Sequence, residues 1–138
     1  MYDENLVQPM RAELTAIGFK QLQTPEEVDA ELKDFKGTTL VVVNSVCGCA
    51  AGAARPAIRL ALETSDKKPN KLTTVFAGQD KAATDQARSY FVGYRPSSPS
   101  IGLLKDGKIT AMIERQDIEG FSAEQIADKL KASFKEFC

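Results

Sequence analysis

The sequence predicts an α/β protein, with a central mixed β-sheet flanked by helices and a helical extension at its N-terminus. Three observations carry this reading. Leu40, Val41, Val42 and Val43 form a continuous apolar run, the pattern of a strand buried on both faces. Capped helical stretches alternate with such runs over most of the chain. An Asp106-Gly107 turn signal between two apolar segments then marks a hairpin, which makes the sheet mixed. The 138 residues are read as one domain, spanning positions 1–138.

Each element follows from local signals. Leu6, Pro9, Met10, Leu14 and Ile17 mark one face of a first helix that Gly18 stops. Phe19 to Leu22 suit a short edge strand. Thr24-Pro25-Glu26-Glu27 is a helix start, with Thr24 as N-cap, Pro25 at the first helical position and Glu27 closing a capping box. Val28, Leu32 and Phe35 continue that helix to Gly37. The buried strand at 40–43 should end near Asn44, and a helix rich in alanine should begin near Cys49. Pro56 should distort that helix, because its ring crowds the carbonyl four residues back, and Gly52 occupies that position. Residues 72–77 read as the next strand, and Asp80 as the cap of a helix through Ala83, Ala87 and Phe91. A loop over 92–98 leads into the hairpin strands, 100–104 and 109–113. Ser122 and Gln125 form a second capping box ahead of a helix striped by Ile126, Leu130, Phe134 and Phe137.

Composition narrows the function. A net charge of -1 leaves no basic excess to neutralise phosphates, which argues against nucleic-acid and membrane-surface partners. The first residues, Met1-Tyr2-Asp3-Glu4-Asn5, lack the basic and apolar regions of a secretory leader, and no apolar run is long enough to span a bilayer. The expected compartment is the cytoplasm, where structural disulfides are rare. The three cysteines, Cys47, Cys49 and Cys138, are therefore read as redox, catalytic or metal-binding groups.

Cys47-Gly48-Cys49 is the most informative segment. It falls where the buried strand gives way to a helix, and helix N-termini stabilise the thiolate that attacks in sulfur exchange. Two residues apart on a helix point about 200° away from each other. Cys47 is therefore expected outside the helix, with Gly48 supplying the backbone freedom that brings the sulfurs together. Two alternatives stand beside the redox reading. One makes the cysteines small buried hydrophobes; the other makes the pair a soft-metal or cluster site. A structural zinc site wants four ligands, and this chain has no His and only Cys138 besides the pair. Cys138 is expected to be an exposed, passive thiol, because a helix C-terminus raises its pKa; it is also the candidate third exchanging thiol. Arg95, before Pro99, is a candidate for meeting an anionic thiol. Arg55 lies more than two helical turns past Cys47 and reads as too remote to act on it directly.

The stretch from Pro99 through Ser100-Ile101-Gly102-Leu103-Leu104-Lys105 to Asp106-Gly107 resembles the cis-proline segment of thioredoxins. That resemblance implies a thioredoxin-like fold, a cis Ser98-Pro99 bond, and substrate docking at Ser98 and Pro99 beside the cysteines. The chain departs from thioredoxin in having C-x-C for C-x-x-C, and Val41 and its apolar neighbours where thioredoxin has a buried carboxylate. More specifically, Thr38 through Gly52 with Cys47-Gly48-Cys49-Ala50-Ala51-Gly52 at its end, Arg55-Pro56, Val75-Phe76-Ala77-Gly78-Gln79-Asp80-Lys81 and Ser97-Ser98-Pro99-Ser100 resemble the bacilliredoxins, small cytoplasmic bacterial proteins with a C-G-C motif. The resemblance covers essentially the whole chain. It implies a thiol–disulfide oxidoreductase that removes bacillithiol from mixed disulfides with proteins, with disulfide isomerase activity also attributed to the family. Cys47 is then the nucleophile and Cys49 the resolving thiol, with no cofactor and no metal. Its partners are thiolated client proteins and a low-molecular-weight thiol, and the chain acts as a monomer or weak homodimer.

Overall fold

The computed structural model describes residues 1–138. The elements run α1 (Glu4–Thr15), β1 (Lys20–Gln21), α2 (Pro25–Leu32), β2 (Thr38–Asn44), α3 (Arg55–Thr64), β3 (Lys71–Phe76), α4 (Lys81–Arg88), β4 (Ser100–Lys105), β5 (Lys108–Ile113), α5 (Arg115–Ile118) and α6 (Ala123–Phe137). The five strands form one mixed sheet in the order β1-β3-β2-β4-β5. β2 pairs parallel with β3 and antiparallel with β4, and the β4–β5 hairpin closes one edge. Asp106 (φ 52) and Gly107 (φ 79) both adopt the left-handed backbone that the hairpin turn requires.

Every residue of β2 is buried, and its alternate side chains feed two cores. Leu40 and Val42 pack with Ala57, Ile58 and Ala61 of α3 and with Ile126, Leu130 and Phe134 of α6. Val41 and Val43 pack on the other face with Val28 and Leu32 of α2 and with Ala83 and Ala87 of α4. Both expected capping boxes, Thr24 with Glu27 and Ser122 with Gln125, are formed. No helix is long and apolar enough to cross a membrane.

The structure corrects several sequence expectations. The buried face of α1 is Val7, Arg11 and Leu14, whereas Leu6 is exposed. Arg11 tolerates burial because Glu4 (2.9 Å) and Asp80 (2.7 Å) pair with it and its guanidinium lies over Phe76. The Asp80 carboxylate is thereby diverted from capping α4. α2 ends at Leu32, short of Phe35, and a one-turn helix, α5, follows the hairpin unannounced. Pro56 acts as expected in kind, though the distortion is a widening. Residues Ala50–Ala54 form a π-helical turn, in which the Arg55 N–H reaches the Ala50 carbonyl five residues back. The wide turn accommodates the missing N–H of Pro56 before α3 resumes ordinary winding.

Candidate active site

The cysteines sit where β2 leaves the sheet. Its last residue is Asn44, and helical winding begins at Gly48. The Cys47 carbonyl accepts the first helical bonds, from Ala50 N–H (3.0 Å) and Ala51 N–H (3.3 Å), so Cys47 is the N-cap and Cys49 lies within the first turn. Their Cα atoms are 5.5 Å apart and the sulfurs are at bonding distance, so the pair is a disulfide. Both cysteines are half-buried. Cys49 leans on the α3–α6 core.

Gly48 does not act as the sequence suggested. Six glycines adopt positive φ and Gly48 is not among them. Its backbone is helical, because the N-cap position of Cys47 already supplies the change of direction between the two side chains. A Cβ at position 48 would meet nothing within 4 Å.

A buried polar network braces the loop from beneath. Asn44 Oδ1 accepts from the Ser45 N–H, and Ser45 Oγ accepts from the Cys47 N–H at 3.0 Å. The Arg55 guanidinium, 3% exposed, donates from Nη1 to Asn44 Oδ1 and to the Ser45 carbonyl, each at 2.9 Å. Its Nε lies 3.2 Å from Glu13 Oε1, near enough for charge pairing though not aligned as a hydrogen bond. Asn44 Nδ2 in turn donates to the Met10 carbonyl of α1 at 3.1 Å. Sequence reasoning set Arg55 aside as remote, counting helical turns without the return of the chain to the strand end. The available signal was an arginine three positions before Ile58 on an otherwise apolar helical stripe.

The Ser98-Pro99 bond is cis, as expected, and Pro99 is buried. Ser100 pairs with Val43 across β2 and β4, so this register sets Ser98 and Pro99 beside the end of β2 from which the cysteine loop departs. Two arginines hold the carbonyls ahead of the proline: Arg88 Nη2 donates to Ser97 O (3.2 Å) and Arg115 Nη1 to Ser98 O (3.1 Å). Arg95 is exposed in the same loop.

The structure does not bring Cys138 to this site. Its thiol lies near Thr38, the first residue of β2, and near Lys105 and Lys67. β2 is seven residues long, which separates its two ends by about 20 Å. Cys138 is half-buried against the α3–α6 core, not the exposed thiol expected. Its pKa is raised as expected, but burial is the main cause, outweighing the opposing influence of Thr38 and the two lysines. No group of three or more His, Cys, Asp or Glu side chains is gathered anywhere to hold a metal ion.

Comparison with known proteins agrees with this geometry. A family model described as disulphide isomerase matches residues 2–138. A bacilliredoxin of Geobacillus kaustophilus is 55% identical over 99% of this chain and 94% of its own length. One of Staphylococcus epidermidis is 54% identical over 100% of this chain and 94% of its own. Among solved structures, a putative oxidoreductase with a thioredoxin fold aligns with a TM-score of 0.61 at 15% identity, covering 83% of this chain and 95% of that one. A thioredoxin of Fasciola hepatica aligns at 0.59 and 18% identity, covering 87% of this chain and 100% of that one. At those identities the solved structures establish the fold, which is that of thioredoxin.

Proposed function

The chain belongs to the bacilliredoxin family of thioredoxin-like oxidoreductases, and on that premise we propose that it removes bacillithiol from mixed disulfides with cytoplasmic proteins, with Cys47 as nucleophile and Cys49 as resolving thiol. The observation that carries the assignment is the placement of the pair. Cys47 is the N-cap, next to unpaired helical N–H groups that favour its thiolate, whereas Cys49 leans into the core from within the first turn.

In the forward reaction the Cys47 thiolate attacks the small-thiol sulfur of the mixed disulfide. A Cys47–small-thiol disulfide forms, and the client protein departs as its thiolate. The Cys49 thiolate then attacks the Cys47 sulfur, expels the small thiolate and closes the Cys47–Cys49 disulfide. Two equivalents of low-molecular-weight thiol return the pair to the dithiol, themselves ending as a disulfide. Ser98 and Pro99, edge-on to the loop, offer backbone groups against which an extended client segment can lie. The disulphide isomerase description of the matched family favours a second use of the same pair, in which the Cys47 thiolate opens a non-native client disulfide and is later displaced by another client thiol.

Intact-mass measurement on a Cys49→Ser variant tests this assignment. Mixed with a bacillithiolated client, it should accumulate one small-thiol adduct on Cys47 and release unmodified client. An adduct confined to Cys138, or none, refutes the roles given to the pair. Retention of near-stoichiometric metal by reduced protein purified without oxygen would favour the soft-metal alternative.

A further inference from the structure

The chemistry proposed above uses the two sulfurs and the proline loop, but leaves unexplained why a guanidinium is sealed beneath them. Arg55 is 3% exposed, sits on α3 and turns back to the end of β2. Burying a cation is costly unless it is paired, and truncating one partner of such a pair is more costly still. The pairing here is incomplete. Arg55 donates to one amide oxygen and one carbonyl, both neutral, and meets one carboxylate, Glu13, whose side chain is 45% exposed. Water screens that carboxylate more than it screens the guanidinium, so net positive potential is left on the loop side.

The two neutral partners are the residues that hold Cys47. The Ser45 carbonyl is bound by Arg55, the Ser45 hydroxyl receives the Cys47 N–H, and Asn44 Oδ1 receives both Arg55 Nη1 and the Ser45 N–H. Cys47 lies two residues along the chain from that carbonyl, which keeps its sulfur within about 10 Å of the guanidinium.

We propose that Arg55 is the positioning residue of the dithiol, fixing the Cys47 turn through Asn44 and Ser45 and supplying the positive charge that stabilises the Cys47 thiolate. The inference rests on Cys47 being the nucleophile, as proposed above. Other charged groups face this end of the sheet. Arg11 on α1 is neutralised by Glu4 and Asp80, and Arg115 on α5 is paired with Glu119. Arg88 on α4 is turned to the Ser97 carbonyl, and Arg95 is exposed in the proline loop. Glu13 alone opposes Arg55 directly.

The test is the pH dependence of Cys47 alkylation, together with the equilibrium of the pair against a reference thiol. A unit charge acting over about 10 Å at an effective dielectric near 20 moves a pKa by roughly one unit. Arg55→Met should therefore raise the Cys47 pKa by about one unit and shift the equilibrium about tenfold toward the disulfide, which is about 30 mV more reducing. Glu13→Gln, on an exposed carboxylate and independent of whether Arg55→Met folds, should move both quantities the opposite way, by a few tenths of a pH unit, roughly, given solvent screening. A role confined to holding the loop predicts no such reversal of sign. An unchanged Cys47 pKa in folded Arg55→Met, or an absent or upward shift in Glu13→Gln, overturns the proposal while leaving Cys47 as nucleophile. Wild-type protein with no thiolate below the ordinary thiol range overturns both.

Discussion

Gly102 lies in β4 beneath Phe91, and the two are packed so closely that one methyl group tests the whole arrangement of the proline side of the site. A Cβ built on Gly102 would stand 2.5 Å from Phe91 Cε1, 2.9 Å from Cζ and 3.0 Å from Cδ1. Carbon atoms pack at about 3.5–4.0 Å, so in Gly102→Ala the ring must retreat by about 1 Å. Phe91 is 3% exposed and wedged against the core of β2, α2 and α4, which leaves little room for that retreat. Overpacking of this kind costs about 1–3 kcal/mol, against a gain of roughly 0.5–1 kcal/mol from replacing glycine inside a strand. The net expectation is a loss of about 1–2 kcal/mol, seen as a lower urea midpoint at unchanged slope, and a Tm lower by roughly 3–7 °C for a chain of this size. Because Phe91 leads directly into residues 92–98, exchange with mixed-disulfide substrates should slow as well. Phe91→Leu in the Gly102→Ala background removes the ring edge, so the double variant should be less destabilised than the sum of its parts. A Gly102→Ala midpoint equal to or above that of the wild type would refute the reasoning.

Two further predictions concern the thiols. Cys47→Ser should fold normally yet lose exchange activity, because its hydroxyl does not ionise near neutral pH; circular dichroism and a turnover assay check the two halves of that statement. Cys138→Ser should leave exchange unaltered, since the thiol is held at the far end of β2. Its pKa is raised by burial, so the wild type keeps this contribution to stability below the ordinary thiol pKa and loses it as pH rises from about 8.5 through the folded value. Cys138 should also alkylate more slowly at mildly alkaline pH than a free cysteine, and Cys138→Ser should flatten the alkaline fall in stability.

What was legible in the sequence was whatever local chemistry decides. The capping boxes at Thr24 and Ser122 and the positive-φ turn at Asp106-Gly107 are closed by neighbours a few residues away, and all three formed. The apolar run at 40–43 needed both faces covered, which required helices on either side. The position of the cysteines at a strand-to-helix junction followed from the same patterning, and the cis bond at Pro99 from family likeness. The features missed depend on distant partners. Arg11 joins the buried face of α1 only because Asp80, 69 positions away, is its counter-ion, and that pairing also removes Asp80 from its expected cap. Arg55 looked remote because its route to the loop runs through Asn44 and Ser45, across space. Gly48 was overinterpreted, since an N-cap cysteine needs no help from its neighbour to leave the helical direction.

The π-helical turn sets a constraint on chain length at the site. A wide turn holds one residue more than an ordinary one, so Ala50–Ala54 behaves as an insertion that the helix has absorbed. Each residue of an α-helix advances the chain by about 100° around the axis. Removing any one of these small residues would let the turn relax to ordinary winding and rotate the cysteine end by about that angle against α3. Ala57, Ile58 and Ala61 would keep their grip on the sheet, but Arg55 and the sulfurs would no longer share a side. The segment between Cys49 and Pro56 therefore tolerates exchange of one small side chain for another far better than the gain or loss of a residue.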